Sequence, residues 1–304
     1  MIPTLDAKAY AAKTFFNLWG RLGGGLLNYG CLKSLNVERD LSYGPEAEQR
    51  LDIFRPLTTQ PALRPVLIYF HGGGWISADK RIYDGIAANL TRNGFMTFNV
   101  NYRLAPAARF PAPLQDAVHA IDWIYHNLER FGGDPSAVVL AGDSAGAQIA
   151  SWYACALRKK HLFEMIGVKE PSNRVPIKGL LLFYGVFDFD TVLQAPLPFI
   201  KLYAHSFLGS DPERYTANSQ IASPIKHVVP GLPPVFLCAG QRDGLFSQSV
   251  AFAEVLDSAG TPYRKLFFGE GVRANHGFLF FKWLKSSRRA LSETTEFLED
   301  LVRP

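Results

Sequence analysis

The chain is short of cysteine, of charge and of long hydrophobic runs, and each shortage removes a class of protein. Its 304 residues include 3 cysteines. Cys31, Cys155 and Cys238 are odd in number and far apart, so neither a disulfide framework nor a metal-binding cluster is expected, and no metal or cofactor is assigned. Cys155 and Cys238 lie in apolar runs and read as small buried hydrophobes, which suits a reducing cytoplasm. Charged residues make up 19% and the formal net charge is +5. The positive charge forms no stripe with interleaved aromatics, so nucleic acid is not an expected partner. The longest apolar runs, such as residues 179–187, are far too short to span a bilayer, so no stable membrane insertion is expected. The start, Met1-Ile2-Pro3-Thr4-Leu5-Asp6-Ala7-Lys8, has no basic segment ahead of an apolar stretch, which speaks against a secretory leader.

What the chain does have is 48% hydrophobic residues and a regular alternation of strand and helix patterns. Arg50-Leu51-Asp52-Ile53-Phe54-Arg55 has period two and stops at Pro56; a Pro-containing turn is expected over 57–65. Val66-Leu67-Ile68-Tyr69-Phe70 is apolar throughout, the mark of a strand covered on both faces of a parallel sheet. Further strands are expected at 95–102, 136–143, 177–184, 235–239 and 263–268. Helices are expected at 83–92, closed by Asn93-Gly94, at 114–130, after Ser144 and ending in Arg158-Lys159-Lys160, whose cations suit a helix C-terminus, at 247–258 and at 287–302. This is a mostly parallel, doubly wound α/β sheet in one catalytic domain. Two stretches stand apart. Residues 1–30 carry Phe15, Phe16, Trp19 and Leu22 at helical spacing until Gly23-Gly24-Gly25 ends the pattern, and read as a lid over a pocket in preference to a membrane-surface helix. Residues 187–225 are rich in Pro and aromatics with weak periodicity, which suits an insertion over the sheet edge.

The stretch around which the rest is organised is Gly142-Asp143-Ser144-Ala145-Gly146, between an apolar strand and a helix. It has the G-x-S-x-G form of a nucleophile elbow, in which a strained backbone at the serine brings the flanking glycines into close approach. Ligands of a doubly wound fold sit beyond the carboxyl ends of the strands. Four features fall there: Ser144, the glycines at 72–74, Asp243 and His276. A serine hydroxyl needs a base, and the imidazole needs a carboxylate to hold its tautomer. Ser144 is therefore the candidate nucleophile, His276 the base and then acid, and Asp243 the orienting carboxylate, with Asp188 as the competing acid. The backbone N–H groups of Gly72, Gly73 and Ala145 are the candidate oxyanion donors. Asp143 reads as structural, and Asp116 as support for the loop before its helix. Trp75, Phe187, Phe207 and Phe278 are candidates for the acyl pocket, with plain packing as the other reading.

His71-Gly72-Gly73-Gly74-Trp75, Tyr102-Arg103-Leu104-Ala105-Pro106 with Pro111-Ala112-Pro113, the serine elbow, and His276-Gly277-Phe278 together resemble the hormone-sensitive-lipase-like esterases, the bacterial family IV. The resemblance runs over about residues 50–300. It implies an α/β-hydrolase fold, a helical cap built from about residues 1–45 and 187–225 on a core of 46–186 and 226–304, and a structural role for His71. It further implies a carboxylesterase that acts through an acyl-enzyme on short- to medium-chain esters, without a cofactor and often as a homodimer. The chain departs from the family in having Ala107 where an acidic residue is usual, Asp243-Gly244-Leu245 where Asp-Pro-Leu is usual, and a longer loop before His276. Two other functions stay open: an amidase such as an arylformamidase, and a non-catalytic small-molecule receptor on the same fold.

Overall fold

The computed structural model describes residues 4–57, 63–92, 94–171 and 176–303. Most of the turn expected over 57–65, and Asn93, lie outside the described residues. Strands β1 (Leu35–Ser42), β2 (Arg50–Pro56), β3 (Arg64–Phe70), β4 (Met96–Val100), β5 (Gly133–Asp143), β6 (Ile177–Phe183), β7 (Val235–Gly240) and β8 (Tyr263–Phe268) form one sheet in the order β1-β2-β4-β3-β5-β6-β7-β8. From β4 to β8 all neighbours are parallel, whereas β2 runs antiparallel to both β1 and β4.

The helices are α1 (Leu5–Leu27), α2 (Asp84–Thr91), α3 (Ala112–Phe131), α4 (Ala145–Ala156), α5 (His161–Met165), α6 (Ile200–Leu208), α7 (Pro212–Ala222), α8 (Phe246–Ser258) and α9 (Lys285–Val302). The sheet is covered on both faces, and β3 shows why its sequence is apolar throughout. Val66, Ile68 and Phe70 point into one core with Ile121 of α3 and Ile149 of α4. Leu67 and Tyr69 point into the other, with Leu90 of α2 and Leu298 of α9. Buried Asp116 on α3 accepts from the Arg103 amide and guanidinium, fixing the loop that leads into that helix.

Four elements differ from the sequence reading. β1 lies in the stretch assigned to the cap, yet it pairs with β2 and belongs to the sheet, so any roof from the N-terminus ends before residue 35. Its middle, Glu38-Arg39-Asp40, is charged and irregular, which an edge strand tolerates; Asp40 has φ 58 and meets Lys80 at 2.5 Å. Second, α1 continues through Gly23-Gly24-Gly25 to Leu27. Glycine weakens a helix interior, but here docking compensates. The α1 backbone at Gly20 lies so close to Ile82 that a Cβ would collide with its side chain. The Asn28 side chain just beyond the helix donates to the carbonyls of Arg81 and Ile82 and accepts from the Gly85 amide. Third, α4 stops at Ala156, so Arg158, Lys159 and Lys160 lie in the following turn rather than at its last residues. Fourth, residues 187–225 contain α6 and α7 and reach over the carboxyl ends of the central strands: the Phe110 amide donates to Phe207 O, and Tyr203 lies on Gly74.

Candidate active site

Ser144 follows β5 directly, with φ 51 and ψ −116, a conformation that costs energy for a residue with a side chain. Both flanking glycines are required by contact. A Cβ on Gly142 would come within 2.8 Å of the Ala147 nitrogen, and one on Gly146 within 2.8 Å of the His71 carbonyl. The elbow thus packs on the end of β3 and turns the Ser144 hydroxyl away from the sheet. His276, from the loop after β8, has Nε2 3.0 Å from Ser144 Oγ. Its Nδ1 lies 2.9 and 3.1 Å from the two oxygens of Asp243, which is buried in the loop after β7 and also accepts from the Leu245 amide at 2.8 Å. Three strand ends therefore bring Ser144, His276 and Asp243 together. Asp188 is not part of this cluster: it accepts from the Thr191 hydroxyl at 2.9 Å and the Asp190 amide at 3.0 Å, closing its own turn.

Asp143 sits fully buried under the elbow and accepts from Tyr69 Oη at 2.9 Å, the Gly72 amide at 2.8 Å and Tyr83 Oη at 3.3 Å. Burial pushes its carboxyl up to about 6; the hydrogen bonds from Tyr69, Gly72 and Tyr83 and the nearby His276 oppose that rise. The Gly72 amide is thereby occupied, which corrects the expectation that it faces a substrate oxygen. The Gly72 carbonyl is held from the opposite side, 2.7 Å from His71 Nδ1. Burial holds the His71 ring below its ordinary pKa, so it is neutral, and since a carbonyl only accepts, Nδ1 carries the proton. In a planar trans peptide the N–H points opposite to the C=O. The grip on Gly72 O therefore turns the Gly73 N–H the other way, toward the cavity that Gly73, Gly74 and Ser144 line. The amides of Gly73, Gly74 and Ala145 make no hydrogen bond among the described residues. Gly74, part of the same glycine run, was not singled out from the sequence. Its φ of 62 and the Tyr203 ring, 2.6 Å from where a Cβ would stand, explain the glycine.

A cavity of about 380 Å³ lies above Ser144 and His276, with walls that include Phe16, Ile82, Leu197, Phe199 and Tyr203. Of the four aromatic pocket candidates, Trp75 alone lines it. Phe207 stacks on the back of Trp75 with ring centres 4.7 Å apart, Phe187 stacks on Phe252 at 4.1 Å, and Phe278 packs between Tyr184 and Phe268; all three are core. Phe16 of the expected lid, Leu197, Phe199 and Tyr203 of the expected cap, and Ile82 were not singled out as wall residues, because each meets the cavity only through a partner remote in the chain. A larger cleft, of about 620 Å³, lies beyond Ile82 and holds Asp40, Lys80, Arg81 and Asp84 but none of the Ser144 cluster. Its Lys80 is buried between Asp40 and Asp52, and Arg39 pairs with Asp84, so these charges compensate one another. Among the described residues no helix is long and apolar enough to cross a membrane.

A mostly parallel sheet with a serine elbow after its fifth strand defines an α/β-hydrolase, and solved esterases share this architecture. The esterase B structure from Lactobacillus Rhamnosis superposes with a TM-score of 0.85 over 98% of this chain and 95% of that one, at 23% identity. An esterase from Pyrobaculum calidifontis does so with a TM-score of 0.80 over 99% and 95%, at 22% identity. The family model described as BD-FAE matches residues 51–256, and the chain belongs to that family. Among curated relatives, esterase LipQ of Mycobacterium tuberculosis is 30% identical over 274 residues, which is 85% of this chain and 61% of that protein. Carboxylesterase NlhH of the same organism is 30% identical over 235 residues, 73% of this chain and 70% of that protein. The chain spans between 55% and 61% of the length of the first three curated relatives. These esterase names agree with the resemblance to the hormone-sensitive-lipase-like enzymes.

Proposed function

We propose that the chain is a serine carboxylesterase that cleaves short- to medium-chain carboxylic esters. The observation that carries this reading is the hydrogen-bonded series Ser144–His276–Asp243 at the floor of an apolar cavity. Ser144 Oγ attacks the ester carbonyl while His276 Nε2 takes its proton, and Asp243 holds the other imidazole nitrogen and stabilises the cation. The tetrahedral oxyanion accepts from the amides of Gly73, Gly74 and Ala145, each free to donate; Ala145 heads α4, where the N–H groups have no intrahelical partner. Collapse returns the proton to the leaving alcohol and leaves an acyl-Ser144, which water attacks with the same histidine as base. The cavity's size, about 380 Å³ with Leu197 and Tyr203 among its walls, supports a preference for short to medium acyl chains. The roof, α1 with residues 187–225, acts as a cap on the core within one domain. The three cysteines are free and buried, which supports a reducing compartment.

The test is hydrolysis of p-nitrophenyl esters from acetate to palmitate, with Ser144→Ala beside the parent. Activity is expected to peak at short or medium chains and to vanish in the variant, and an organophosphate should add its mass to Ser144 stoichiometrically. Absence of both labelling and turnover would instead favour a silent receptor. Labelling without ester turnover, but with turnover of an N-formyl arylamine, would favour the amidase.

A further inference from the structure

α1 is assembled inside out. The face that meets the protein carries the small residues Ala9, Gly20 and Gly24 together with Phe16, half-buried Lys13 and Asn17, whose side chain accepts from the Ala78 amide. The large apolar residues Phe15, Leu18, Trp19 and Leu22, spaced i, i+3, i+4 and i+7, are 56, 57, 64 and 67% exposed. They form one outward stripe. Phe199 extends it: held at φ 63 against Phe16 and 59% exposed, it is at once part of the patch and a wall of the cavity. An apolar surface of this kind on a folded protein marks a contact site.

From this juxtaposition we infer that the α1 stripe and Phe199 form a docking surface for an anionic lipid–water interface, which brings apolar esters to the cavity mouth. The inference rests on the esterase reading only for what is delivered, not for the docking itself. Two observations select the occupant. The charges around the stripe are basic: Lys8, Arg21 and Lys201 are exposed and make no ion pair among the described residues, while Asp6 is paired with Arg109. A helix with Trp, Phe and Leu on one side and Lys and Arg flanking them lies in the plane of an anionic interface. The second observation is position. A second copy of the chain seated on the stripe and Phe199 would cover the exposed wall of the cavity, formed by Pro198 and Phe199, whereas a lipid surface there carries the substrate.

The test is co-sedimentation with phosphatidylcholine vesicles that carry about one-third phosphatidylglycerol, since basic residues near an anionic surface each add to binding. The parent is expected to sediment with these vesicles. Leu18→Ser/Leu22→Ser should weaken binding about tenfold or more through lost apolar burial, and Lys8→Glu should weaken it less. Turnover of soluble p-nitrophenyl butyrate should stay unchanged in each variant, which also reports that the fold is intact. A parent that stays in the supernatant overturns the inference, as does binding indifferent to the leucine substitutions. A dimer in light scattering that the same substitutions dissociate, with no vesicle binding, overturns it in favour of a second copy. Vesicle binding without any ester turnover would sustain the docking surface and defeat the esterase reading alone.

Discussion

Asp143 carries a tension that its neighbours only partly relieve. It must accept three hydrogen bonds to hold the Gly72 peptide, yet it does so fully buried, with its carboxyl raised to about 6. A carboxyl with a raised folded pKa binds protons more readily in the native state than in the unfolded chain. Its contribution to stability is therefore full below about pH 4, the unfolded value, and is lost as pH rises through about 6. Asp143→Asn keeps an oxygen for Tyr69 and Gly72 and removes the titration. In urea unfolding, the stability of the parent relative to this variant should fall by about 3 kcal/mol between pH 3 and pH 7, the equivalent of about two pKa units. A difference that does not change with pH would refute this. At this scale the sequence was informative where chemistry and chain order coincide: a serine between two glycines, then an acid and a histidine, each just past an expected strand. It was misleading at Gly72, because which amide of a glycine run is free depends on a carboxylate 71 residues away.

Among elements, the ones read correctly are those whose patterns answer to the sheet, such as β3 and α3, and the ones misread answer to a partner. The triple glycine of α1 has the composition of a break, but Asn28 and the contact with Ile82 hold the helix in place. The same glycines offer room. A Cβ at Gly23 or Gly25 would meet nothing within 4 Å, so Gly23→Ala and Gly25→Ala should each stabilise by about 0.5–1 kcal/mol, the interior cost of glycine in a helix. Thermal unfolding and hydrogen exchange in α1 would measure it; lowered protection in either variant would mean that α1 is not helical there. β1 was missed for a related reason. Its alternation of Leu35, Val37 and Leu41 is interrupted by residues that pair with Lys80 and Asp52 rather than with the sheet's own cores.

In the molecule as a whole, the floor of the site comes from strand ends that the sequence makes legible, and the roof from two distant stretches whose place as a lid is legible but whose individual wall residues are not. They meet the floor at one departure from the family pattern. Gly244 follows Asp243, and a Cβ there would stand 2.6 Å from the Pro196 carbonyl, so the glycine lets residues 196–197 pack directly on the acid's loop and carries Leu197 into the cavity. Gly244→Ala should displace that wall, raising KM for the preferred p-nitrophenyl ester several-fold while organophosphate labelling of Ser144 persists; an unchanged KM would sever the wall from Gly244. The roof also brings its outward aromatic stripe to a chain whose net charge passes through zero near pH 9.0. Like charge is what keeps protein molecules apart in solution. In mildly alkaline buffer these molecules lose that mutual repulsion while Phe15, Leu18, Trp19 and Leu22 stay uncovered, so the protein is least protected against self-association there.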